Sequence, residues 1–181
     1  MEQILTAVEQ EIRFHTLSGE LIIHRNGNLY EMDFPTYELR EIPVTDAMEK
    51  AFGVRPIKAV LGLDLVCEFE SEDIVRTMNP NQELLMGIEV RIQNATAAGN
   101  ETDCVSRSFC PKLSIAEDPV CGSAHCQIAA YWAEKLKKKD IIVYQASRRG
   151  GCLHCTLQAE GRITISGEAT LVAISEIVVP L

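Results

Sequence analysis

The sequence predicts an α+β fold in which a curved, mostly antiparallel sheet wraps around one buried helix. Three observations lead there. Residues 123–138 place Ala124, Cys126, Ile128, Ala129, Trp132 and Leu136 so densely that the first three turns have almost no polar face; a helix apolar all round is buried on all sides. Short alternating runs flank that helix on both sides in sequence, the pattern of half-buried strands. Turn signals such as Asn26-Gly27 join neighbouring runs closely enough for hairpins.

Taken in order, Ile4, Leu5 and Val8 have helical spacing and predict a short helix in the first ten residues. Strands are expected over Ile12 to Thr16, Glu20 to His24 and Leu29 to Phe34, with Asn26-Gly27 turning between the last two. Pro35 and Pro43 break the pattern and mark a crossover. Thr45 is a good N-cap for a helix through Phe52, which Gly53 stops. Strands follow at Ile57 to Leu61 and Leu65 to Phe69. Asn79-Pro80 opens a short helix, with proline in the first turn where its missing N–H does no harm. Ile88 to Ile92 and Cys104 to Phe109 read as strands joined by a polar, glycine-bearing loop. After the central helix, Ile141 to Gln145, Cys152 to Glu160, Arg162 to Ser166 and Ala169 to Val179 alternate as strands.

Composition narrows the function. The chain has 181 residues, 46% hydrophobic and 24% charged, which is ordinary for a globular protein. No window approaches the ~18 apolar residues that span a bilayer, so no membrane role is expected. A net charge of −9 argues against nucleic acid as a partner. Lys135, Lys137, Lys138 and Lys139 end the central helix, where cations complement its dipole. The cysteines number seven, an odd count, and the first residues carry no basic leader; reduced thiols in a cytoplasmic protein are expected. Cys152-Leu153-His154-Cys155 suggests zinc, but strand alternation puts its two thiols on opposite faces, and no metal is expected.

The densest chemistry lies in Glu117-Asp118-Pro119-Val120-Cys121-Gly122-Ser123-Ala124-His125, just ahead of the central helix. A helix start leaves N–H groups unpaired and carries partial positive charge, which suits it to gripping a carboxylate. Gly122 lets a ligand approach the backbone, and Ser123 either caps the helix or turns its hydroxyl outward. Asp118 precedes a proline and is kept extended, out of the helix; it either caps the turn or transfers protons. His125 either meets substrate or rests against the sheet. His15 and His24 fall in strand patterns, and Trp132 belongs to the core.

The stretch Ser106-Arg107-Ser108-Phe109-Cys110-Pro111, then Glu117 to Cys126 (EDPVCGSAHC), then Ala130-Tyr131-Trp132, resembles the hallmark of the PhzF-like family of phenazine biosynthesis. Thr16 to Leu21, Tyr30 to Pro35 and Gln145 to Gly151 extend the resemblance over nearly the whole chain. It implies a diaminopimelate epimerase-like fold: two lobes, each a sheet around a helix, with the active site between the helix N-termini. It further implies an isomerase that moves a proton on a small carboxylate-bearing metabolite without metal or organic cofactor. Asp118 and Ser123, with Cys121, would be catalytic; Gly122, Ser123, Ala124 and His125 would bind substrate.

Two departures qualify what the resemblance implies. The family's principal catalytic Glu, and the C/G-H-A-T type turn after it, precede the TLSGEL segment, which here begins at Thr16. The chain is therefore expected to hold a partial first lobe, residues 1–44, and a complete second lobe, residues 45–181, whose last strand returns to the first. A partial lobe exposes sheet edge, so self-association as a homodimer is expected. A non-catalytic ligand- or partner-binding relative is one alternative, and a Cys121-dependent epimerase or racemase is another. Cys121 replaces a residue that is commonly threonine, giving a Cys-Gly-Ser string similar to the turn that carries a catalytic thiol in related epimerases. A thiol at a helix start has a lowered pKa and could act as a base; otherwise Cys121 is a small buried filler.

Overall fold

The computed structural model describes residues 11–16, 19–173 and 175; the helix expected in the first ten residues lies outside them. The first half of the chain builds β1 (Glu11–Thr16), β2 (Gly19–Asn26), β3 (Leu29–Pro35), β4 (Arg40–Ile42), α1 (Asp46–Phe52), β5 (Lys58–Leu61) and β6 (Leu65–Glu68). Two short helices follow, α2 (Glu72–Thr77) and α3 (Gln82–Met86), then β7 (Gln93–Ala98), β8 (Cys104–Cys110) and β9 (Ile115–Asp118). The chain continues with α4 (Gly122–Leu136), β10 (Asp140–Gln145), β11 (Gly151–Leu157) and β12 (Arg162–Glu168).

These strands form one sheet in the order β1-β2-β3-β12-β11-β10-β8-β7-β6-β5-β4, with β9 added alongside β8. All pairs are antiparallel except β10 with β8 and β6 with β7, as the sequence predicts. The β12–β3 pairing runs from Arg162 against Pro35 to Glu168 against Leu29 and ties the N-terminal hairpins to the end of the described chain.

Local signals explain several elements. The β2–β3 hairpin pairs Asn26 with Leu29, so its two loop residues are Gly27 and Asn28, with Gly27 at φ 63°. That is one residue beyond the expected Asn26-Gly27 turn, because the left-handed position goes to the glycine. Thr45 caps α1 by accepting from the Met48 N–H, and Gly53 ends it at φ 78°, both as expected.

Four expectations fail in informative ways. The polar loop expected after residue 92 contains β7, Gln93–Ala98, while Ile88 to Ile92 form no strand. β7 is buried on both faces: Ala95 and Ala97 pack toward α1–α3, while Asn94 and Thr96 bond inside the sheet. Helix α2, capped by Ser71, was not anticipated. The helix expected from Asn79-Pro80 starts later, with Asn81 as its cap accepting from the Leu84 N–H. Residues 169–173 form no regular structure, and the remainder of the strand expected there lies largely outside the described residues.

The sheet separates two cores. On one face Met48, Phe52, Phe69, Val75, Leu85 and Phe109 pack under α1–α3, with Phe52 edge-on to both Phe69 and Phe109. On the other lies α4, with Ile128 and Trp132 against Ile141, Val143, Ile163 and Ile165. Polar pairs fix the register of α4 on β7 and β8. The Trp132 indole N–H donates to Thr96 at 2.9 Å, and the Thr96 hydroxyl donates to the Val105 carbonyl at 2.7 Å. At the same C-terminal end of α4, the buried Glu68 carboxylate accepts from the Tyr131 hydroxyl and the Lys135 ammonium. Among the described residues no helix is long and apolar enough to cross a membrane. Trp132→Ala should cost about 3–5 kcal/mol in equilibrium urea unfolding, against a change within about 0.5 kcal/mol for the exposed Lys50→Ala.

Candidate functional site

The site is assembled where β9 ends and α4 begins. β9 lies on β8 with Asp118 opposite Ser108 and Glu117 opposite Phe109. Pro119 then stops the ladder, since it brings no N–H. Glu117 is held by Arg107 in a two-pronged ion pair, 2.7 and 2.9 Å, and Arg107 also donates to the Met78 carbonyl at 2.7 Å. Glu117 thus anchors the strand and is committed to that pair.

The half-buried Asp118 turns its Oδ1 onto the Val120 N–H at 3.0 Å. The turn-capping role expected of Asp118 is thus filled by its Oδ1. The Asp118 carbonyl accepts from Gln145 Nε2 at 2.6 Å, and Gln145 Oε1 accepts from the Cys121 N–H at 2.7 Å. Gln145 is wholly buried.

Helix α4 starts at Gly122, one residue earlier than expected, with Cys121 as its N-cap and no side-chain cap bond. Ser123 is thus inside the first turn rather than a cap. It is exposed, with its hydroxyl 3.6 Å from the Cys121 sulfur. A side chain added at Gly122 would meet open space, so the backbone there is accessible to a ligand. Ala124 is buried behind it.

Cys121 does not behave as a low-pKa thiol. Burial pushes it up, outweighing the opposing influence of the Ser123 hydroxyl and the Ala124 N–H. It is 4% exposed and packs with the α4 core, the filler role.

His125 departs further from its expected contact with substrate. Its ring is fully buried, Nδ1 lies 2.5 Å from the Cys121 carbonyl and Nε2 lies 3.0 Å from Ser106 Oγ. A carbonyl only accepts, so Nδ1 carries the proton and Nε2 accepts from the serine. Burial lowers its pKa to about 4, with the Cys121 carbonyl and Asp118 opposing. His125 therefore braces the helix start as a neutral ring.

A loop after β10 closes over the turn. Ser147 Oγ donates to the Pro119 carbonyl at 2.6 Å and accepts from the Gly150 N–H at 3.1 Å. Gly150 has φ 72°, and a Cβ on Gly151 would sit 2.6 Å from Val120 Cγ2. Both positions require glycine, one for its backbone and one for close approach. A 780 Å³ cleft opens here, bounded by Val120, Gly122, Arg149, Tyr30, Cys152 and Glu168 among others. Pro119, Glu117, Ser147, Arg148 and Arg149 bound a shallower neighbouring depression of 510 Å³. Of the residues expected at the site, Gly122 alone lines the cleft; Asp118, Cys121 and Ser123 flank it. Sequence reasoning did not assign Gln145, Arg107 or Arg149 a role in the site. Their only signal was membership of the segments Ser106 to Pro111 and Gln145 to Gly151.

The other sequence candidates separate cleanly. Cys152 is exposed and Cys155 buried on alternate sides of β11, as expected. Among the described residues no cluster of three or more ligand side chains could hold a metal.

The chain matches the family described as "Phenazine biosynthesis-like protein" (PhzC-PhzF) over residues 1–175. An "uncharacterized isomerase" of Halalkalibacterium halodurans is 37% identical over 175 residues, covering 94% of this chain and 66% of that protein. The crystal structure of a phenazine biosynthesis protein, PhzF family, from Enterococcus faecalis superposes with a TM-score of 0.89 at 37% identity. It covers 93% of this chain and 65% of that one. A hydroxyproline epimerase from Agrobacterium vitis, at 12% identity and a TM-score of 0.53, shares the fold over 92% of this chain and 59% of its own. This chain belongs to the PhzC-PhzF family and has its diaminopimelate epimerase-like fold. It spans 61–66% of the length of the bacterial isomerases it matches.

Two predictions follow from the site's electrostatics. The folded His125 pKa lies below the ordinary value of about 6.5, so as pH falls the unfolded chain takes up the proton first. Stability is then intact above about pH 6.5 and declines toward about pH 4, by up to about 3 kcal/mol. Urea unfolding of His125→Asn across that range should lose about one proton of this slope. In alkylation at neutral pH followed by peptide mass spectrometry, the exposed Cys152 should be labelled well before Cys121.

Proposed function

We propose that the chain carries the Asp118 side of an isomerase site that moves a proton on a small carboxylate-bearing metabolite, as the family resemblance implies. The observation that supports this best is the placement of the Asp118 carboxylate beside the open start of α4 at Gly122. The unpaired N–H groups of a helix's first turn favour an anion. A substrate carboxylate seated on Gly122, Ser123 and Ala124 would bring its neighbouring carbon toward the Asp118 side of the cleft. Asp118 would then accept or return the proton, with Ser123 presenting its exposed hydroxyl to the bound anion. No step in this scheme calls on a metal or organic cofactor.

Arg149 would add a positive charge to the cleft wall and Glu168 a negative one. The division at residue 44, with β1–β3 as part of a first lobe, belongs to the same proposal. So does pairing of the chain with a second copy: among the described residues β1 and β4 end the main strand order and β9 pairs with β8 alone, and edges invite pairing. The free state of all seven cysteines is consistent with a reducing cytoplasm.

A second reading, a ligand-binding relative without catalysis, is favoured by one feature. Asp118 flanks the cleft without lining it, its Oδ1 already occupied by the Val120 N–H. One measurement separates the two readings. Candidate substrates are incubated in deuterated water and incorporation at the carbon beside the carboxylate is followed by NMR. Under the isomerase reading, Asp118→Asn slows incorporation by about a hundred- to ten-thousand-fold while substrate still binds. Incorporation unchanged by that substitution would remove Asp118 from the mechanism, and binding without any incorporation would favour the second reading.

A further inference from the structure

We propose that Gln145 is a positioning residue, which fixes where the Asp118 carboxylate and the start of α4 sit relative to the cleft. This rests on the role given to Asp118 above. Pro119 brings no N–H to the turn, so after Asp118 only Val120 and Cys121 have N–H groups to donate, while the Pro119 carbonyl accepts from Ser147 at 2.6 Å. The Val120 N–H goes to Asp118 Oδ1 at 3.0 Å, and the Cys121 N–H goes to Gln145 Oε1 at 2.7 Å. The same carboxamide donates from Nε2 to the Asp118 carbonyl at 2.6 Å, so one side chain grips both ends of the turn. The Gln145 side chain is buried, its bond to the Cys121 N–H fully and its bond to the Asp118 carbonyl partly, and an unmade bond in such a place is costly.

The grip is anchored to rigid structure. Gln145 is the last residue of β10 and pairs in the parallel ladder with Ser106 of β8. Ser106 in turn donates to the buried His125, which holds the Cys121 carbonyl. Asp118 itself pairs with Ser108, two residues along β8. The turn is therefore held by β8 on one side and by Gln145 on the other, with Ser147 bonded to the Pro119 carbonyl at its middle. An amide is suited to this place because it offers a donor and an acceptor at once, and a carboxylate offers only acceptors.

That difference supplies the test. In Gln145→Glu the protonated carboxyl can still donate to the Asp118 carbonyl and accept from the Cys121 N–H; once ionised, it turns an acceptor toward a carbonyl oxygen. Burial raises the pKa of such a carboxyl, in documented cases to about 8–9. Amide exchange, read by NMR and corrected for its intrinsic pH dependence, should give near wild-type protection of Cys121 and Val120 at about pH 5 and an about tenfold loss at about pH 9. Wild type should show no such step, and the β7 amides should be unaffected. Val120 is the decisive amide, because its acceptor is Asp118 Oδ1 rather than Gln145. Loss at Cys121 with Val120 unchanged would overturn the positioning role, as would no loss at either.

Gln145→Leu should lose protection at both pH values. Should it fail to fold, the comparison of Gln145→Glu at the two pH values decides alone. In the deuterium assay, Gln145→Glu should lower kcat with the same pH step and leave KM within a few-fold; a change in KM alone would also overturn the role. The amide measurement needs no substrate. A Val120 step with activity indifferent to Asp118→Asn would sink the functional reading and leave the clamp standing. Activity dependent on Asp118 without a Val120 step would do the reverse.

Discussion

The structure depends on enclosing α4. A helix that buries Ala124, Ile128, Ala129 and Trp132 on one side and Cys126, Gln127 and Tyr131 on the other has no face to leave in water over these turns. The sheet must therefore curve past it, and the strands that do so, β8, β10, β11 and β12, come from both sides of it in sequence. Burial alone would let the helix slide or rotate. The Trp132–Thr96 and His125–Ser106 bonds remove that freedom, because each leaves a buried polar group unpaired if the register slips. With the register fixed, the N-terminus of α4 has one position, and the cleft opens there.

How much of this was legible in sequence depends on whether a residue's neighbours were local. The α1 caps, the β2–β3 hairpin and the length of α4 rest on contacts within a few residues, and the sequence carried their signatures. β7 was missed for a physical reason. A central strand covered on both faces need not alternate, and QNATAA has small residues where the α1–α3 core presses close. Its polar members are satisfied by partners far along the chain: Asn94 by Leu65 and Ser108, Thr96 by Val105 and Trp132. Nothing local announces such bonds. Ile88 to Ile92 has the better strand composition, yet the segment serves as the approach to β7, with the Ile92 N–H bonded to the buried Asp64.

The site divides the same way. That Asp118 would be extended before Pro119, and that Gly122 would leave backbone open, followed from residue chemistry. The states of Cys121 and His125 did not, because they depend on burial. A thiol at a helix start is lowered by the local dipole when solvated, but here the core around it prevails. An imidazole in a crowded motif reads as reactive until its two nitrogens are found occupied. Gln145 lies 24 residues from the Cys121 amide it holds, beyond any pattern of spacing.

These burials have a common chemical consequence. Four ionisable side chains crowd within nine residues, and in solution they would compete for the same proton. In the fold Glu117 is committed to Arg107, while burial keeps the Cys121 thiol and the His125 imidazole uncharged. A neutral thiol and a neutral ring beside the α4 N-terminus also leave its partial positive charge uncompensated by any thiolate and unopposed by any imidazolium. What remains at the turn is one partly exposed carboxylate, next to N–H groups suited to an anion. A crowded motif thus becomes a simple electrostatic site because the core behind it takes the other groups out of play.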